Sequence, residues 1–313
     1  MFKVLYNQAR MDICIEPVTP ILIKTGREAF DPTRPDNEFV RTSMDFGEVP
    51  YLPGSSLRGV IRSHAERILR TLRLERSECD ITQRGKACTE RSGRRNGEKF
   101  PYKKHCFACR TFGSTELASR TRFTDAYPWP LTADREAMQQ AAGEIILESR
   151  TSNKIDRRRG VAARGALFTA EVVSSGSFHS EVTLRNYQLW QIALLALVLR
   201  DINAGHQRLG ASKSRGLGKV KIAITDFQIQ QLGCLTDGGN KLMGIGCADR
   251  AEDYDLIPED YIEAPEYLKS QSEYLISTCF TPAADPDECW KNMALKLVNS
   301  NNWKNLLKRR ESQ

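Results

Sequence analysis

Four of the nine cysteines in this chain fall in one stretch, Cys79-x8-Cys88-x17-Cys106-x2-Cys109. The last pair, in "CFAC", is a tight C-x-x-C knuckle, and the two thiols upstream complete a four-thiolate set. Four sulfur ligands suit a closed tetrahedral zinc site. Such a site keeps no open position, so the expected ion is structural rather than catalytic. His105 adjoins the knuckle and is an alternative ligand for one cysteine. A redox C-x-x-C would need a thioredoxin-like setting that is not evident here. The surrounding stretch is basic: Arg84 to Lys104 holds eight Lys/Arg against Glu90 and Glu98. An ion would tie down this otherwise floppy insertion.

A second kind of chemistry is written in basic residues beside glycines and serines. In "PYLPGSSLRGVIRSHAER" (50–67), Pro53-Gly54 ends a strand and Ser55 or Ser56 can cap the helix that follows. Leu57, Ile61, Ala65, Ile68 and Leu72 share one face of that helix, and Arg58, Arg62, Arg70 and Arg73 point elsewhere. The loop "GASKSRGLGK" (210–219) combines glycines, which let a backbone approach phosphate closely, with Lys213, Arg215 and Lys219. It matches neither a P-loop nor a dinucleotide fingerprint, and by itself it reads equally well as a glycine turn. "SNKIDRRRGVAARGA" (152–166) sets Lys154, Arg157, Arg158, Arg159 and Arg164 against Asp156 alone, between two strand-like segments. A solvated charge run is the ordinary explanation of such a loop. A protruding hairpin that lies along or between nucleotides is the functional one.

These motifs require scaffolding, and the rest of the chain supplies the signals for it. The early residues alternate like a strand (Phe2, Val4, then Ile13, Ile15), and "FVRTSMDFGEVPYLP" reads as a hairpin turning near Asp45-Phe46-Gly47. "NYQLWQIALLALVLRDIN" predicts an apolar helix, and "KVKIAITDF" a strand. The order strand, helix, strands, helix, strand suggests an α+β, ferredoxin-like unit with insertions. Beyond residue 230 the composition changes. Residues 231–313 carry 9 Lys/Arg and 14 Asp/Glu, against 37 and 25 before them. This marks 1–230 as a basic body, which suits a polyanionic partner or simply a soluble surface, and 231–313 as a separate extension, whose tail "WKNMALKLVNSNNWKNLLKRR" reads as amphipathic helix. No apolar run is long enough to span a membrane, and the N-terminus has no signal-peptide pattern, so a cytoplasmic location is expected. H-E-x-x-H and G-x-S-x-G are both missing. His64 reads as a structural residue, and His179 and His206 have no assigned role.

Taken in order, "PYLPGSSLRGVIR" (50–62), "TSNKIDRRRGVAARGALF" (151–168) and "LGASKSRGLGKV" (209–220) resemble the signature blocks of the RAMP superfamily. More narrowly, they resemble those of the backbone subunit of type III CRISPR–Cas effector complexes. "CFACRTFGST" resembles cysteine-bearing members, including those of the III-D and III-E branches. The resemblance covers about residues 1–230. It implies an RRM-like (ferredoxin-like) core with a thumb β-hairpin at about 150–168. The zinc-binding insertion at 76–112 is read from its cysteines, and the 231–313 extension departs from the family and is a candidate for contact with a neighbouring subunit. It implies a CRISPR RNA held through Ser55, Ser56, Arg58, Arg62, Lys154, Arg157, Arg158, Lys213, Ser214 and Arg215, with complementary target RNA and other subunits as partners. In active members a loop Asp cuts the target RNA with Mg²⁺ or another divalent cation. Asp36 in "PDNEFVR" stands in its position, with Asp31 as the nearest rival. A non-catalytic guide-binding scaffold, and a zinc-ribbon DNA-binding protein, are the alternatives.

Overall fold

The computed structural model describes residues 3–25, 35–74, 79–80, 83, 85–88, 101–237, 239–248, 254, 256–273 and 277–308, excluding the side chains of 164–166, 273 and 302. In chain order the elements are β1 (Asn7–Pro17), β2 (Arg41–Met44), β3 (Gly47–Pro50), α1 (Gly54–Thr71), α2 (Phe107–Phe112), β4 (Thr121–Phe123), α3 (Arg135–Gly143), β5 (Ile146–Asp156), β6 (Val161–Ser175), β7 (Phe178–Arg185), α4 (Leu189–Asn203), β8 (Val220–Leu232), β9 (Lys241–Met243), β10 (Tyr261–Glu263), β11 (Leu268–Glu273), β12 (Ser277–Pro282), α5 (Pro286–Val298) and α6 (Asn301–Lys308). The chain is α+β, as expected.

Its main sheet has six strands in the order β11-β12-β8-β1-β7-β4, with every neighbouring pair antiparallel. Period-two alternation sends Ala9, Met11, Ile13 and Ile15 of β1 to one face, with Phe178, Val182 and Leu184 of β7 and Ile222, Ile224, Phe227 and Ile229 of β8. The helices cover that face. α4 is buried nearly all round, which explains its almost unbroken apolar sequence. On α1 the buried stripe is Leu57, Ile61, His64, Ala65 and Leu69, and Ile68 and Leu72 are only partly covered. The opposite face of β1 carries Gln8, Arg10, Asp12, Cys14 and Glu16.

Several expectations need correction. Val4 is 51% exposed and precedes β1 rather than alternating within it, while Phe2 lies outside the described residues. The composition change at 231 does not mark a structural boundary. β8 runs through it to Leu232, and β12 pairs with β8 from Ile229 to Leu232, so the acidic C-terminal part extends the same sheet. The tail is two helices, α5 and α6, separated at Asn299-Ser300, and α5 begins with Asp285 accepting from Glu288 N at 2.9 Å. The expected turn at Asp45-Phe46 is present between β2 and β3.

The C-terminal part is joined to the core by a buried carboxylate. Asp260 is 0% exposed. Its Oδ1 accepts from Leu189 N at 3.0 Å, at the start of α4, and its Oδ2 from Gly246 N at 3.1 Å. A helix N-terminus offers unpaired N–H groups and a positive dipole end, so a carboxylate is well placed there. Asp260→Ala would strand two buried donors and is expected to cost about 3 kcal/mol, read as a lower melting temperature by calorimetry. Asp260→Asn keeps an acceptor and is expected to lose less.

Candidate RNA-binding and metal sites

One strand, β6, gathers the motifs that the sequence singles out. β5 and β6 form a long antiparallel hairpin that turns at Arg157–Gly160. Asp156 shapes the turn: its Oδ1 accepts from Arg158 N at 2.8 Å and Arg159 N at 3.3 Å, and its carbonyl accepts from Gly160 N at 2.8 Å. This local acceptor is why a run of arginines can turn so tightly. Lys154, Arg157 and Arg158 are all exposed along this ribbon, while the side chain of Arg164 lies outside the described residues.

At its base β6 is held from two sides. Ile21 and Val173 exchange backbone hydrogen bonds at 2.8 and 2.9 Å, and Asn37 N donates to Thr169 O at 3.1 Å. Asp36 docks in the same place: its Oδ2 accepts from Thr169 N at 2.7 Å and from Thr169 Oγ1 at 3.2 Å. Two residues on, Glu171 accepts from Phe39 N at 3.1 Å and pairs with Arg41 at 2.5 Å. Asp36 remains exposed, and no hydrogen bond to its Oδ1 comes from the described residues. Asp31 lies outside the described residues.

The glycine-rich loop packs against this base. Leu22, Ala170, Val172 and Leu217 form a small apolar cluster, and the Arg215 guanidinium lies 5.0 Å from the centre of the Phe168 ring. The loop follows the chain closely, with Ala211 N donating to Leu22 O at 2.7 Å and Gly218 N to Pro20 O at 2.8 Å. At Gly218, φ is +83° and a Cβ would sit 2.0 Å from Leu209 O, so only glycine fits. Lys213, Ser214 and Arg215 are exposed in a single tight turn. Partial covering of the Lys213 side chain by its neighbours, and secondarily Arg67, push its ammonium below its ordinary range although the residue is exposed.

The α1 N-terminus differs from expectation. Neither Ser55 nor Ser56 caps it. The helix starts at Gly54, whose N donates at 2.7 Å to Asp125 Oδ1, a residue that sequence reading missed because it lies 71 positions away. Gly54 is required by proximity: a Cβ there would be 2.5 Å from Phe123 O. Ser55 is exposed and Ser56 half-buried. Arg58 donates to the Phe112 carbonyl, and Arg62 donates to Glu66 Oε1 (2.9 Å), Gly113 O (2.8 Å) and Cys109 Sγ (3.4 Å). Burial, then Arg62, lower the Arg58 guanidinium. These two arginines brace the cysteine segment.

The four cysteines come together as the spacing predicts. Their sulfurs all lie within 4.8 Å of one another, with Cys79–Cys88 at 3.2 Å and Cys79–Cys109 at 3.8 Å. Tetrahedral zinc with Zn–S bonds of about 2.3 Å places its sulfurs about 3.8 Å apart, so this set fits such an ion. The surroundings suit thiolates. Cys106 N points at Cys88 Sγ and Cys109 N at Cys106 Sγ, both at 3.4 Å, and Arg62 brings positive charge to Cys109. Hydrogen bonds from Cys106 and Cys109 bring the Cys79 thiol down to about 7. His105 is buried nearby with Nδ1 3.2 Å from Pro101 O, and among the described residues the grouped ligand atoms are the four sulfurs alone.

Residues 14–221 match the RAMP superfamily. The chain is a member of that superfamily. A relative is the protein named CRISPR system Cms endoribonuclease Csm3 from Methanocaldococcus jannaschii, 28% identical over 194 residues. The alignment covers 59% of this chain and 66% of the relative, slightly under two thirds of its length. In this RAMP chain the matched region takes in the β5–β6 hairpin, the cysteine cluster and the glycine-rich loop. Among the described residues no helix is long and apolar enough to cross a membrane.

Elemental analysis of the purified chain is expected to find one zinc per molecule, lost in Cys109→Ser and kept in His105→Ala. Reduced protein without metal would remove the zinc assignment.

Proposed function

We propose that this chain is a CRISPR RNA-binding backbone subunit of a type III effector complex in the cytoplasm, and that it cleaves complementary target RNA at Asp36. The observation that carries this reading is the Asp36 carboxylate at the base of the basic β5–β6 hairpin, one oxygen fixed on Thr169 and the group exposed. The superfamily membership and the similarity to Csm3 support it. The strand order β8-β1-β7-β4, with α1 and α4 as crossovers, supports an RRM-like (ferredoxin-like) core. The hairpin acts as the thumb, the cysteines hold a structural zinc that orders the 76–112 insertion, and the region after 231 contacts a neighbouring subunit.

Base pairing between guide and target reads the sequence, and the protein holds the guide by its backbone. The thumb displaces a nucleotide and frees it from the regular A-form geometry. Its 2′-OH then comes into line with the adjacent phosphorus, and Asp36 orients the hydroxyl and accepts its proton. The 2′-oxygen bonds to phosphorus, the P–O5′ bond breaks with O5′ taking a proton from water, and the products carry a 2′,3′-cyclic phosphate and a 5′-hydroxyl. With Mg²⁺ bound, Asp36 would be the carboxylate of this chain that holds the ion, orienting the metal rather than the hydroxyl, and the ion would supply stabilisation of charge developing on the phosphoryl oxygens.

The hydrogen bonds from Thr169 also favour a second reading, in which Asp36 only anchors the hairpin and the subunit is a scaffold. Asp36→Asn separates the two, because the amide oxygen can still accept from Thr169 while the charge is lost. In complex with guide RNA and Mg²⁺, Asp36→Asn is expected to cut complementary RNA roughly 10²–10⁴-fold more slowly, with guide binding unchanged. Asp31→Ala should cut normally. If Asp36→Asn cuts as wild type while Asp31→Ala is dead, Asp31 is the cutting residue; if neither change matters and the site beside this subunit is never cut, the scaffold reading stands.

A further inference from the structure

The arginines of α1 divide into two groups. Arg58 and Arg62 direct their donors into the protein, onto Phe112, Gly113, Glu66 and Cys109. Arg67, further along the helix, is exposed and held differently. The buried His64 has Nε2 at 2.7 Å from Asp201 Oδ2, and Arg200 holds the other oxygen of that carboxylate at 2.8 Å. With Nε2–H donated to Asp201, the Nδ1 lone pair faces an Arg67 amino group at 3.5 Å. The same amino group reaches the buried Gln207 Oε1 at 3.3 Å. Neither partner is a carboxylate, so Arg67 is oriented without an ion pair.

Three more cations lie on the segment that follows Gln207. Arg208, next to Gln207, donates to the carbonyls of Lys213 and Leu217 at 3.3 and 3.4 Å, which ties it to the glycine-rich turn. Lys213 and Arg215 share that turn, and Arg215 rests on Phe168. Among the described residues none of these four has a carboxylate within ion-pair distance, whereas Arg10, Arg41, Arg62, Arg70, Arg135, Arg150 and Arg200 all do. Like charges gathered without a counter-ion repel, and an anion from outside the chain relieves that repulsion. Phe168 precedes Thr169, which holds Asp36, so the cluster adjoins the same strand as the proposed cleavage residue.

We propose that Arg67, oriented by the His64–Asp201 pair and Gln207, forms with Arg208, Lys213 and Arg215 a phosphodiester-binding cluster, and that Arg67 is the α1 residue that grips the RNA backbone there. This rests on the RNA-binding reading above and moves the α1 contribution away from the helix N-terminus. His64 and Asp201 are positioning residues that act through Arg67.

The test is a salt titration of the full-length, zinc-loaded chain with two unrelated single-stranded RNAs of guide length. Arg67→Ala is expected to weaken both alike, by about three- to tenfold, and to lower the slope of log affinity against log salt by about one. His64→Ala leaves the charge present but no longer held, so affinity falls at an unchanged slope. Arg135→Ala, whose guanidinium pairs with Asp45, should behave as wild type. If Arg67→Ala does not fold, Arg208→Ala reports on the same cluster and should show the same loss of slope. Wild-type affinity and slope in Arg67→Ala, or a loss confined to one RNA, would overturn this assignment while the RNA-binding reading stands. A wild-type chain that binds neither RNA would overturn both.

Discussion

The arrangement of this molecule depends on how the base of β6 is pinned. An isolated two-stranded ribbon is marginally stable in water, so a long β5–β6 hairpin must be anchored by something else. Here Ile21 pairs with Val173 on one side, and Asn37 and Asp36 pair with Thr169 on the other. The small apolar cluster of Leu22, Ala170, Val172 and Leu217 packs the glycine-rich loop against the same residues. One short length of strand thus places the hairpin, the exposed carboxylate and the basic loop relative to one another. A shift of register by one residue would move Phe168 and Thr169 each to the face it does not now occupy and separate all three.

The arginines of the basic body serve two different physical roles. Arg62 is 11% exposed by side chain, and its guanidinium is surrounded by a carboxylate, a carbonyl and a sulfur. A partly buried cation needs such partners, because removing it from water without them is costly. Its place beside four thiols has a further logic: four thiolates around one divalent ion would carry excess negative charge, which a nearby guanidinium would offset. Arg67, Arg208, Lys213 and Arg215 lie at the surface, where solvent screens their repulsion until an anion arrives.

The acidic C-terminal part is built into the core. β12 continues the sheet from β8, and α5 lies against α4 and β8, with Trp290 and Met293 buried. Asp260 completes the join at the start of α4, where two backbone donors need an acceptor. Most of the described acidic residues in this part lie at its surface and have no bearing on whether its apolar residues enter the common core.

Sequence alone determined what depends on local spacing. The C-x-x-C knuckle and its two upstream thiols, the turn at Asp45-Phe46, the apolar α4 and the glycine-rich loop all appear where pattern places them, because each is a short-range matter of dihedral preference or periodicity. Tertiary structure alone decided which partner each polar group meets. Asp125 rather than Ser55 or Ser56 receives the α1 N-terminus, Arg62 turns inward to Cys109, and Thr169 holds Asp36 across 133 positions. β8 likewise runs through position 231, where composition suggested a boundary. On one helix the arginines look alike in sequence. Which are internal braces and which remain available for an external anion is decided by the segments packed against each, and helical spacing carries no record of those.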